Sequence, residues 1–149
     1  MMYVTLTTIL IVDDDEEDIL ATQRILRQSG VTAEFRTANS GAALMDYLAQ
    51  IETASEGLFP TPDMILLDID IPRMTGFELL RHLKTEACYS KIPVVMLGVP
   101  NFPDDVAACR ELGAAAYVSK PVRADDVREL LAALSRVGDV TGAVASTHV

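Results

Sequence analysis

Three charged sites, each set just after a short apolar run, constrain this chain more than any other feature. Ile9-Leu10-Ile11-Val12 leads into Asp13-Asp14-Asp15, Met64-Ile65-Leu66-Leu67 into Asp68, and Ala116-Tyr117-Val118-Ser119 into Lys120-Pro121. In a parallel α/β sheet the strand C-termini share one edge, and ligands bind in the crevice there. Such a sheet gathers the carboxylates of Asp13, Asp14 and Asp68 and the Lys120 ammonium in one pocket. A chain that does this can hold a divalent cation beside an aspartate able to carry a phosphoryl group.

The rest of the sequence supports that architecture by alternating strand and helix signals, which predicts a parallel sheet covered by helices on both faces. Thr7–Val12 reads as a central strand, buried on both sides. Glu16–Ser29 follows as a helix with Ile19, Leu20, Gln23, Ile25 and Leu26 on one stripe and Gly30 at its stop. Ala33–Ala38 alternates Phe35 with Glu34 and Arg36, which suits an edge strand.

Ser40 is an N-cap candidate for a Gly41–Gln50 helix. Ile51–Pro62, with Gly57, Pro60 and Pro62, is long for a connection, so part of it extends that helix or forms a surface loop. Met64–Asp68 is the third strand. Thr75-Gly76-Phe77-Glu78 reads as a capping box before a Phe77–Glu86 helix. Val94–Leu97 is the fourth strand, Pro103-Asp104-Asp105 opens a helix that Gly113 closes, Ala115–Ser119 is the fifth strand, and Asp125–Arg136 the last helix. Residues 1–6 are then an N-terminal extension, 7–136 one domain, and 137–149, small and polar, a flexible tail.

Composition removes several classes of function. The chain has 149 residues, with 12 basic against 22 acidic side chains and a formal charge of −10; a nucleic-acid-binding module usually shows a basic face. No apolar run approaches the ~20 residues needed to span a bilayer, and the first residues lack a basic n-region. The expectation is a cytosolic protein with no membrane or nucleic-acid partner. Cys88 and Cys109 have no metal-ligand spacing and are expected as reduced, packed thiols.

Mg2+ takes oxygen ligands, usually one or two carboxylates with waters and phosphate oxygens. Asp14 and Asp68 can supply two oxygens, Asp13 can bond a metal-bound water, and a main-chain carbonyl can fill another position. Clustered carboxylates repel one another without a cation. Asp13–Asp18 could instead simply cap a helix N-terminus, but that leaves the other two strand-end sites unexplained. Asp68 is the candidate nucleophile, giving an aspartyl phosphate, with Lys120 and Mg2+ neutralising charge.

VDDDEED, LLDIDIPRMTG, KIPVVML and AAYVSKP together resemble the receiver domain of two-component response regulators, in the right order and over nearly the whole chain. The resemblance implies a flavodoxin-like, doubly wound sheet of five parallel strands in order 2-1-3-4-5 with five helices. It implies phosphorylation on Asp68 by a histidine kinase or phosphotransfer protein, with Mg2+ held by Asp14, Asp68 and the main-chain carbonyl of Asp70, Asp13 in support, and Lys120 contacting the phosphoryl group. It also implies a cis Lys120–Pro121 bond. The DDDEEDI opening and the long Ile51–Pro62 connection are similar to single-domain regulators that partner phytochrome-type kinases.

The chain departs from the family pattern at one position. Receivers usually carry Thr or Ser at the end of the fourth strand, and the alignment of KIPVVML places Gly98 there. A hydroxyl that would contact the phosphoryl group is missing, at a cost of roughly 1.5–3 kcal/mol. Tyr117 matches the family's aromatic switch position; beside Gly98 it can point inward without phosphorylation, or remain a fixed, partly buried tyrosine. The resemblance implies that Asp70, two residues beyond Asp68, borders the path of an attacking water.

Three functions follow as candidates. The first is a stand-alone receiver that phosphorylates itself from a donor, turns over no free substrate, and signals through contacts of its fourth helix, fifth strand and fifth helix, with Arg110, Glu111, Arg123, Asp126 and Arg128 exposed for a partner or a homodimer. The second is a phosphorylation-independent receiver-like interaction module. The third is a phosphohydrolase using Asp68-Ile69-Asp70-Ile71 as a DxDx motif, although such enzymes place it on their first strand.

Overall fold

The computed structural model describes residues 4–53, 58–99 and 103–137. The elements run β1 (Val4–Val12), α1 (Glu16–Gln28), β2 (Val31–Ala38), α2 (Gly41–Thr53), β3 (Met64–Asp68), α3 (Gly76–Thr85), β4 (Val94–Gly98), α4 (Pro103–Glu111), β5 (Ala116–Ser119) and α5 (Ala124–Val137). The five strands are all parallel and ordered β2-β1-β3-β4-β5, the flavodoxin-like arrangement expected from the sequence.

Side chains that alternate along the strands divide the core into two apolar layers. Ile9, Ile11, Leu66, Val95, Leu97 and Val118 pack with Ile19 and Leu26 of α1 and Val127, Leu130 and Leu131 of α5. Leu10, Val12, Ile65, Leu67, Val94 and Met96 pack with Leu44 and Leu48 of α2, Leu79, Leu80 and Leu83 of α3, and Cys109 of α4. Each fully buried aliphatic side chain contributes roughly 1.5–3 kcal/mol, so β1, β3 and β4, buried on both faces, make a stiff platform for whatever stands at their C-terminal ends.

Several boundaries differ from the sequence expectation. β1 begins at Val4, not Thr7, and β2 at Val31, not Ala33; the added residues pair with each other, Val4 with Val31 and Thr5 with Thr32, before a register irregularity ahead of Thr8. Residues 4–6 are therefore strand. β2 is an edge strand, as expected, and its outer residues make a Glu34–Arg36 ion pair at 3.2 Å. α2 runs on through Ile51 to Thr53, and Tyr47 holds the following connection by donating to the Pro60 carbonyl at 2.6 Å.

Gly30 and Gly113 follow α1 and α4 with φ of 91° and 99°, left-handed geometry that favours glycine at a helix stop. On α1 the buried residues are Ile19, Thr22 and Leu26; Leu20 points outward, 51% exposed. The tail expected over 137–149 lies, apart from Val137, outside the described residues. Among the described residues no helix is long and apolar enough to cross a membrane.

Candidate functional site at the sheet's C-terminal edge

The strand ends bring the predicted charges together. Asp13, where β1 gives way to α1, is 1% exposed, and its main-chain N–H donates to the Ala38 carbonyl at 3.0 Å. Its Oδ1 accepts the Asp15 N–H at 2.9 Å. Asp15 is the N-cap of α1, accepting from the N–H groups of Glu17 and Asp18. The acidic run therefore divides its labour: Asp15 caps the helix while Asp13 stays in the pocket and Asp14 stands exposed at its mouth.

Asp68 ends β3 and is 4% exposed. Its Oδ1 accepts the Asp70 N–H at 3.1 Å and its Oδ2 accepts from the Lys120 ammonium at 3.0 Å. Lys120 follows β5, precedes a cis peptide bond to Pro121, and donates its main-chain N–H to the Gly98 carbonyl at 2.8 Å. Its Nζ also lies 3.0 Å from Asp13 Oδ2 and 2.8 Å from Asp18 Oδ2.

Burial pushes the Asp68 carboxyl up to about 6; the Lys120 hydrogen bond works against that shift and the Asp13 charge adds to it. Burial alone would lower the Lys120 ammonium, but the carboxylates of Asp18, Asp13 and Asp68 outweigh it and leave the group above its usual range.

Asp13, Asp14 and Asp68 each offer a carboxylate oxygen, and the three oxygens lie within 4.8 Å of one another. Three hard oxygen donors around one point, with a single ammonium to balance them, suit a hard divalent cation such as Mg2+. Asp14 and Asp68 face an open cleft of about 380 Å3 lined also by Asp15, Asp18, Asp70, Gly98, Val99 and Lys120. Asp70 stands exposed on its wall.

Gly98 ends β4, paired with Ser119 of β5. The space a side chain would fill there is taken. A Cβ on Gly98 would collide with the Tyr117 hydroxyl and lie 2.8 Å from both Tyr117 Cζ and Ile69 Cδ1. The tyrosine is turned inward, donating to the Val99 carbonyl at 2.8 Å. Burial, with the nearby Asp105, Cys109 and Asp70, raises its phenol above the usual value. Tyr117 is half-buried with its hydroxyl over Gly98, so the inward placement and the partly buried tyrosine of the sequence reading coincide.

Two contributors were missed in the sequence. Asp18, by sequence a helix-capping charge, pairs with Lys120 at 2.8 Å; its place one helical turn beyond Asp14 is the signal. Gly76 was read only as part of the capping box, which does form. A Cβ there would lie 2.5 Å from the Asp68 carbonyl oxygen and 2.7 Å from Ile69 Cα, so glycine lets α3 close against the end of β3.

Two expectations need correction. Asp126 is half-buried and accepts the Arg123 N–H at 2.9 Å at the start of α5, while Arg110, Glu111, Arg123 and Arg128 are exposed as expected. Both cysteines are free, but only Cys109 is packed; Cys88 sits exposed after α3, where the chain has left the core.

A five-stranded flavodoxin-like domain with an acidic cleft and one lysine at its strand ends defines the class. The chain belongs to the response regulator receiver domain family, whose family model matches residues 9–132. It is 35% identical to the two-component response regulator ORR6 of Oryza sativa subsp. japonica, over 82% of this chain and 67% of that protein. Of another rice relative, ORR1, 32% identical, the chain spans only 53%. Among solved structures it is similar to the bacteriophytochrome response regulator RtBRR, with TM-score 0.75 and 35% identity, covering 87% of this chain and 78% of that one. It is also similar to the phosphorylated cyanobacterial phytochrome response regulator RcpA, with TM-score 0.68 and 30% identity, covering 83% and 87%.

Proposed function

We propose that this chain is a single-domain response regulator that accepts a phosphoryl group on Asp68. The observation that carries this reading is the 3.0 Å contact between the Lys120 ammonium and Asp68 Oδ2 inside a cluster of three carboxylates. An Asp68 carboxylate oxygen attacks the phosphorus of a phosphohistidine on a histidine kinase or phosphotransfer protein; the new O–P bond forms as the N–P bond breaks, and the imidazole leaves. Asp14, Asp68 and the Asp70 main-chain carbonyl would hold Mg2+, with Asp13 in support. When bound, the cation draws charge from the transferring phosphoryl oxygens. Lys120 supplies positive charge on the other side and is itself oriented by buried Asp13.

A relative solved in a phosphorylated form supports the phosphoacceptor role, and the likeness to RtBRR makes a phytochrome-type kinase the favoured donor. The protein turns over no free substrate in this reading. Its output is contact through α4, β5 and α5, where a groove of about 440 Å3 is lined by Val106, Cys109, Arg110, Ala114, Ala115, Ala116, Tyr117 and Glu129; a second copy of the chain is one occupant this face would accept. The −10 charge argues against nucleic acid. Two free cysteines suit the cytoplasm.

Incubation with Mg2+ and acetyl phosphate, read by intact mass, tests the proposal. A single phosphoryl adduct is expected, absent from Asp68→Asn. An adduct that persists in that variant, or none on the unsubstituted chain, overturns it.

Gly98 favours a second reading. Tyr117 already occupies the inward position beside the groove, so that face has its loaded-like arrangement before any phosphoryl group arrives, and the chain works as a phosphorylation-independent module. Unchanged signalling by Asp68→Asn would select this reading over the first.

A further inference from the structure

Lys120 stands among three carboxylates, and only two belong to strand ends. Asp13 and Asp68 are buried, their side chains 1% and 5% exposed, and meet the ammonium at 3.0 Å. The third, Asp18, reaches from the first turn of α1 at 2.8 Å and is 42% exposed. Asp13 and Asp68 each accept a hydrogen bond from the ammonium, and Asp18 faces it as an ion pair.

Among the described residues that line the cleft, Lys120 is the only basic side chain, and Gly98 brings no hydroxyl. A phosphoryl group on Asp68 turns that carboxylate into an uncharged acyl oxygen and sets its own anionic oxygens beside the ammonium. Asp13, Asp18 and the phosphoryl oxygens then contend for one ammonium. Asp13 is sealed from water and would be left as an uncompensated buried charge. Asp18 lies at the rim and can return to solvent at little cost.

We propose that Asp18 is a positioning residue that pairs with Lys120 while Asp68 is unmodified, and so competes with the phosphoryl group for that lysine. The inference rests on the phosphoacceptor reading of Asp68. It makes α1 a brake on loading: Asp18 draws the ammonium away from the incoming group, and its own charge repels that group.

Asp18→Asn removes the competing charge. An exposed ion pair of this strength shifts an equilibrium about three- to fivefold, so adduct formation with acetyl phosphate and Mg2+ should accelerate by that factor. Asp15→Asn is the control, because it removes a negative charge from the same cleft while asparagine preserves the N-cap; it should accelerate the reaction far less. Asp18→Glu, which keeps the carboxylate, should restore the slow rate. In a Lys120→Gln background, Asp18→Asn should accelerate no more than Asp15→Asn. Thermal melts of each variant establish that it folds.

Equal acceleration by Asp18→Asn and Asp15→Asn would reduce the effect to plain charge and overturn the inference. So would an adduct that forms at an unchanged or slower rate in Asp18→Asn, with the phosphoacceptor reading intact. No adduct on the unsubstituted chain would overturn both.

Discussion

The acidic cleft and the Gly98–Tyr117 corner share one sheet edge but are built on opposite terms. In the cleft, buried Asp13 and Asp68 are held by the ammonium of Lys120, and each charge needs the others. At the corner a side chain is missing, and a neighbour has moved into its place: Tyr117 fills the volume above Gly98 and hydrogen-bonds to the Val99 carbonyl. The cleft is a set of charges held against one another. The corner is already settled. A receiver-like site can thus keep the means of taking up a phosphoryl group while the element that would report it rests in place.

The largest break in this comparison is Lys120→Ala. Removing the ammonium leaves two buried carboxylates unpaired, costing about 3 kcal/mol of stability near pH 7 and about a hundredfold in phosphorylation rate. Urea melts and adduct kinetics check both, and added Mg2+ should recover part of the stability. A variant as stable as the parent without Mg2+ would show that the cleft charges do not depend on the lysine.

Acidity acts on the cleft next. With the Asp68 carboxyl near 6, the nucleophilic anion should be lost about tenfold per pH unit below that value at low Mg2+, and saturating Mg2+ should move the midpoint lower. The folded carboxyl holds its proton more tightly than the unfolded one. This group therefore favours the fold most below about pH 4, and that contribution falls away as pH rises from about 4 through about 6. An acetyl phosphate rate flat from pH 7 to 5 would contradict the assignment.

Gly98→Thr strikes the other region. The new side chain must expel Tyr117, breaking its bond to Val99 and disturbing Ile69, at a cost of about 1–3 kcal/mol. The phenol, no longer buried, should titrate closer to its ordinary value in an ultraviolet pH titration. If the titration does not move, the tyrosine never held that place. Tyr117→Phe is the mildest test: it keeps the ring and removes one hydrogen bond, so stability should fall by about 1 kcal/mol with phosphorylation kinetics unchanged.

What the sequence made legible follows from how local the signals are. The apolar runs ending in Asp13, Asp68 and Lys120, the capping box at Thr75 and the stops at Gly30 and Gly113 each depend on neighbours along the chain, and each stands where expected. What escaped notice depends on distant contacts. Val4 and Val31 become strand by pairing with each other. Gly76 is needed because the end of β3 comes close behind it. Asp18 meets a lysine supplied by β5 at the other side of α1. Only the inward space at Gly98, a feature of two residues, could be foreseen, and its occupancy by Tyr117 took the fold to decide.

The chain has three lysines: Lys84, Lys91 and Lys120. Lys84 donates its ammonium to the carbonyls of Ser90 and Ile92 at 3.0 and 2.8 Å, and Lys120 is held by carboxylates. Lys91, exposed ahead of β4, stands at the opposite end of the sheet from the cleft. Amine-directed coupling to a sensor surface at lysine will therefore favour Lys91, and will present the cleft outward, open to any partner passed over it.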